Sequence, residues 1–175
     1  GFCPLHILDT MNNFQNKKRN IVTAGITFLW YLEMSKVTTV PAGVSGNIST
    51  NEIACTSVLK ELYLDEGSAE YVEEPNMGAA GVGYQLSING ENILLTPEKD
   101  NEINRLMKTR CLVFFQDNHG QWRFIVDALL KSKANTGTFA NGKPSYSLQF
   151  VAGSQNPAYY YSGSVTINSN RTLSL

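Results

Sequence analysis

Three things are scarce in this 175-residue sequence: cysteine, charge and long apolar runs. Cysteine occurs only at Cys3, Cys55 and Cys111. An odd, widely spaced set does not form the even framework of a disulfide-stapled domain. Charged residues make up 17% of the chain, against about 25% in ordinary domains. They nearly cancel, leaving a net charge of −1. That balance excludes a global attraction to nucleic acid or to an anionic membrane. No apolar run approaches the ~18 residues that mark a membrane-crossing helix, and no membrane partner is expected. The first residues lack the basic-then-apolar order of a signal peptide. A myristoylation pattern fails because Leu5 stands where Ser or Thr belongs. Catalytic signatures are missing as well: there is no G-x-S-x-G, no H-E-x-x-H and no EF-hand loop. Asn47-Ile48-Ser49 and Asn170-Arg171-Thr172 match the glycosylation sequon, but in an Asn-rich chain without a leader they read as chance. The length suits one domain with a real core.

What is present is clearest from Thr96 to Ala128. Thr96-Pro97-Glu98 is a helix start, with Thr as N-cap and Pro at the first helical position. Glu98 and Asp100 place negative charge in the first turn, where the helix dipole favours it. Ile103, Leu106 and Met107 form one apolar stripe, and Lys108 and Arg110 close the segment. The reading is one helix over about 97–108. Cys111 to Phe115 is a short apolar run of β-formers. Asp117-Asn118-His119-Gly120 is turn chemistry. Trp122, Phe124 and Val126 then alternate with Arg123, Ile125 and Asp127, which completes a hairpin.

Strands and loops fill the rest. Residues 1–20 read as an arm, rich in Asn and carrying Lys17-Lys18-Arg19, with Phe2, Leu5, Ile7, Leu8 and Phe14 available to dock. Ile26 to Met34 reads as a buried strand that Val37–Val40 extends. Ser57 to Leu64 reads as a strand with Val58, Lys60, Leu62 and Leu64 on one face, or as a short helix over 52–62. Ala69 to Glu73 is a short strand ended by Pro75. Met77 to Gly83 is a Gly/Ala loop that lacks the Lys-Ser/Thr of a phosphate cradle. Tyr84 to Ile88 is a strand, turned at Asn89-Gly90, the strongest hairpin dipeptide, and returned by Ile93-Leu94-Leu95. Tyr146 to Phe150, Tyr159 to Tyr161 and Ser164 to Ile167 are the last strands. The polar tail 168–175 reads as mobile or partner-dependent. The whole is expected to be mainly β: a β-sandwich or barrel over 21–167 with one flanking helix and extended arms.

Candidate chemistry is thin. His119 and Asp117 are close in sequence, but both lie in a turn, and a catalytic dyad needs a pocket and an oriented nucleophile. Cys3 and His6 make half a zinc site with no second pair. Paired carboxylates of a glycosidase need not be adjacent in sequence, but the acids here crowd into one run. Residues 52–74 hold seven acids against the single base Lys60. No catalytic residue, cofactor or metal is expected. Trp30, Tyr31, Tyr84, Trp122, Tyr146 and Tyr159–Tyr161 interleave with polar residues as in a lectin platform. They suit core or interface packing equally.

Two stretches together resemble structural proteins of tailed phages that infect Bacteroidetes, the crAss-like group included. One is the helix, apolar strand, Asp117-Asn118-x-Gly120, Trp122 and second apolar strand. The other is Tyr146-Ser147-Leu148-Gln149-Phe150 followed by Pro157-Ala158-Tyr159-Tyr160-Tyr161. The similarity covers roughly residues 84–162. It implies a non-enzymatic virion protein of the tail or neck, assembled in the bacterial cytoplasm as a homo-oligomeric ring, tube or connector. Its partners would be copies of itself, neighbouring virion proteins and, transiently and without sequence specificity, the DNA that passes. On that reading Phe2, Leu5, Phe14, Met77, Tyr159, Tyr160 and Tyr161 are expected at interfaces. Glu61, Asp65, Glu66, Glu70, Glu73 and Glu74 are expected to line a DNA-repelling lumen. The alternative is a carbohydrate-binding or adhesion module of β-sandwich type.

Overall fold

The computed structural model describes residues 25–41, 49–65, 67–79, 81–93, 95–140 and 142–175. The expected arm over 1–20, with Phe2, Leu5, Phe14 and the Cys3/His6 pair, lies outside them, as does Glu66. The early strands are β1 (Ile26–Glu33), β2 (Val37–Thr39), β3 (Ser49–Thr50), β4 (Ala54–Cys55) and β5 (Lys60–Glu61). Then come β6 (Glu70–Gly78), β7 (Gly81–Ile93) and the helix α1 (Pro97–Met107). The chain finishes with β8 (Cys111–Asp117), β9 (Trp122–Asn135), β10 (Ser145–Ser154), β11 (Tyr159–Tyr161), β12 (Thr166–Ile167) and β13 (Leu173–Ser174). The fold is mainly β with one α-helix among the described residues, as the sequence led us to expect.

The principal sheet runs β5-β1-β8-β9-β10-β7-β6, and every neighbouring pair on that path is antiparallel. β9 is its turning point. The first half of β9 pairs with β8, and its second half, from Leu129 onward, pairs with β10. Between them the register slips: Val113 faces Ile125 but Cys111 faces Ala128. The extra residue is a β-bulge, which bends a strand and re-aims it. Asp127 sits there at φ 55°, a left-handed conformation that Asp tolerates better than most side chains.

Because the sheet bends, one of its faces curls around a core. Leu29 and Tyr31 of β1, Val113 and Phe115 of β8, and Ile125 of β9 meet Leu86 and Ile88 of β7 and Leu148 and Phe150 of β10. The curl is closed by the segment from Leu62 to Ala69. Leu62 N–H donates to Leu29 O at 2.9 Å, Asp65 N–H to Glu91 O at 2.8 Å, and Ile26 N–H to Ala69 O at 3.2 Å. The helix lies against the core through Ile103 and Leu106, both buried. Thr96 caps it, its hydroxyl accepting from Lys99 N–H at 3.3 Å. Met107, expected on the buried stripe, is exposed.

The opposite face of β1, β8 and β9 carries a second core of Trp30, Leu32, Leu112, Phe114 and Phe124. Ile53, Leu59, Tyr159 and Leu173 cover it. The central strands are therefore buried on both faces, which is why Cys111–Phe115 reads as a continuous apolar run.

Several local expectations are corrected. Asn89-Gly90 is not a turn but lies within β7, pairing with Gln149 and Leu148. Leu64 crosses over Gly90: a Cβ there would meet its Cδ1 at 2.8 Å, so the leucine side chain would have to shift to admit one. Pro75 does not end its strand, because β6 is an edge strand and a missing N–H is tolerated there. Met77–Gly83 is not a loose loop but the end of the β6–β7 hairpin, with Gly78 paired to Gly81. Leu59, not Val58, is buried in the 57–64 stretch, and only Lys60–Glu61 is strand. A 3-10 turn over Met34–Lys36 separates β1 from β2, which pairs with β4.

The tail is also corrected. Leu173 is fully buried and exchanges both backbone hydrogen bonds with Leu59. Arg171, at φ 66°, turns β12 back into β13. Its carbonyl accepts from Trp30 Nε1 at 2.8 Å. Residues 168–175 thus cover the second core. Leu173→Ala is expected to cost ~2–5 kcal/mol, the range for deleting a buried leucine side chain. Ser169→Ala, at the exposed turn, should leave stability within about 0.5 kcal/mol. Urea denaturation of the two variants checks this, and equal midpoints would show that the tail lies outside the cooperative unit.

Candidate functional site

His119 offers nothing that resembles a catalytic dyad. It is exposed, and its backbone N–H donates to Asp117 Oδ1 at 2.9 Å, as does that of Gln121. The carboxylate folds the turn. Among the described residues, no group of three His, Cys, Asp or Glu is placed to hold a metal ion. No helix among them is long and apolar enough to cross a membrane. Cys111 is buried, and burial pushes its thiol up to about 11, which opposes a nucleophilic thiolate.

A strongly perturbed titratable cluster joins the helix to the sheet. Arg105 forks onto Glu102, NH2 to Oε1 at 2.6 Å and Nε to Oε2 at 3.1 Å, and also pairs with Glu33 of β1. Tyr31 of β1 donates its hydroxyl to Glu102 Oε1 at 2.7 Å. The Arg105 hydrogen bonds, with the Tyr31 bond, outweigh partial burial and hold the Glu102 carboxyl down at about 2. Burial and the Glu102 bond raise the Tyr31 phenol. Every group has a partner within the cluster, which attaches the helix to β1. Tyr146 of β10 adds a second tie through its hydroxyl to Asp100 and to Thr96 O.

The aromatic platform is dispersed into the cores. Trp30, Tyr31 and Tyr146 are buried. Tyr159, expected at an interface, is buried with its ring stacked on Phe124 at 5.3 Å. Tyr161 lies edge-on to Phe114 at 5.1 Å. Tyr160 is half-buried and forms a sandwich with Tyr71 around the Arg123 guanidinium, at 4.3 and 4.7 Å to the ring centres. Arg123 NH2 donates to Glu73 Oε1 at 2.8 Å and to Ala158 O at 2.9 Å. Tyr71 accepts from Ala158 N–H at 3.1 Å. These contacts tie β6 to the start of β9 and to the residues before β11.

The acidic run does not form one face. Glu61 is bonded to Arg171 Nε at 2.8 Å, and Glu73 to Arg123. Asp65 is half-buried in a turn with Ser68. Glu70 and Glu74 are exposed on β6, and the alternation of a strand puts them on its other side from Glu73.

Among the described residues, two surfaces stand out as open to a partner. The first is a polar trough on the outer side of β7, β10 and β9. Its floor is the rows Asn89-Gln149-Lys131 and Glu91-Ser147-Lys133, and Asp65, Gly67 and Ser68 on one side and Gly137, Gly142 and Lys143 on the other wall it. Charge changes sign across it, from Glu91 to Lys133. The second is the projecting end of the β6–β7 hairpin. Pairing of β10 with β7 stops at Ser154 and Tyr84, so among the described residues no further strand lies beside the ribbon beyond Pro75 and Tyr84. Met77 is 80% exposed there, paired with Val82 at 52%. At the opposite end of the same sheet Phe139 is fully exposed in the β9–β10 connection.

Comparison with protein-family models, curated proteins and solved structures finds no match for this chain.

Of the residues singled out from sequence, Met77 is on an open surface, Tyr160 is partly so, and Tyr159 and Tyr161 are used internally. Val82 and Phe139 were missed. Phe139 had a readable signal, a lone aromatic inside a Gly/Asn/Thr-rich turn segment. Val82 had none, because its exposure follows from how far the hairpin outruns β10. The attachment cluster makes a pH prediction. A carboxyl whose pKa is depressed on folding contributes stability above its unfolded value, near 4.5, and loses it as pH falls toward about 2. Glu102→Gln should lower stability at pH 7 and flatten the acid limb of the stability curve across that window. Chemical denaturation from pH 7 to 2 measures it, and an unchanged limb would show that the cluster does not couple to folding.

Proposed function

We propose that this chain is a non-enzymatic virion structural protein that assembles as a homo-oligomeric ring in the tail or neck of a tailed phage, with DNA passing through. The observation that carries assembly is the projecting hairpin with the exposed pair Met77 and Val82. Two stacked cores and a doubly tied helix make a stiff body, and the apolar tips stand at opposite ends of its sheet. Apolar side chains on projecting ribbons are unfavourable in water and become favourable when a partner covers them. Patches on different parts of a subunit meet head to tail, and head-to-tail contacts close into rings when the rotation permits. The phage assignment rests on the resemblance over roughly residues 84–162.

Of the acids expected at a lumen, Glu61 and Glu73 are paired with arginine, Asp65 is half-buried, and Glu70 and Glu74 are exposed. The carbohydrate-binding reading draws little support from aromatics that are spent on packing. Light scattering on the purified chain should give a mass that is a multiple of 19.3 kDa, and negative-stain microscopy should show closed rings. A monomer at every concentration would overturn the proposal.

A further inference from the structure

We draw no further inference here: the strongest candidate, the polar trough floored by β7, β10 and β9, is lined by charges of both signs, Asp65 and Glu91 as well as Lys131, Lys133 and Lys143, and nothing in the structure shows what covers it.

Discussion

The bulge at Asp127 is the constraint on which the rest depends. A flat sheet of these strands would present two faces to water or to separate partners. The extra residue on β9 turns the strand, so its first half serves β8 and its second half serves β10. Phe124 and Ile125 are adjacent and both buried, one in each core. That arrangement needs cover on both sides of the same strand. The β7–β10 half of the sheet, with α1, covers one side. The 53–59 segment, β11 and the C-terminal turn cover the other.

Two polar ties hold the curl in place, and neither resembles a reaction centre. Arg105, Glu102, Glu33 and Tyr31 attach the helix to β1, and Arg123, Glu73, Tyr71 and Tyr160 attach β6 to β9. Bidentate and stacked arginines suit such sites because the planar guanidinium satisfies several partners at once. Their carboxylates are occupied, so acids that would be free in an extended chain are unavailable for acid–base work. The surface left over is a polar trough and projecting apolar tips, which suit recognition between macromolecules.

Edge protection and apolar exposure meet on β6. As an edge strand it would invite uncontrolled pairing, and Pro75 with the acids at 70, 73 and 74 opposes it. The apolar residues begin only beyond Pro75, where the ribbon outruns its neighbours. The exposed apolar side chains of this ribbon are thereby confined to its tip, while the edge below it is blocked.

Local chemistry was legible before any coordinates. The Thr96 cap, Pro97, the buried Ile103 and Leu106, and the Asp117–Gly120 turn all follow from interactions within a few residues, and sequence order alone determined them. The mainly β class followed from short apolar runs in the same way. What only the tertiary structure decided depended on distant neighbours. Asn89-Gly90 has the chemistry of a turn, yet pairing with β10 makes it a strand position, with Leu64 packed over the glycine. Residues 168–175 look like a polar tail, yet buried Leu173, its backbone bonds to Leu59 and the contacts of Arg171 with Trp30 and Glu61 fix them. Tyr159 and Met77 have similar claims to an interface by composition. Burial of the first and exposure of the second come from where β9 bends and where β10 stops, and neither is encoded near either residue.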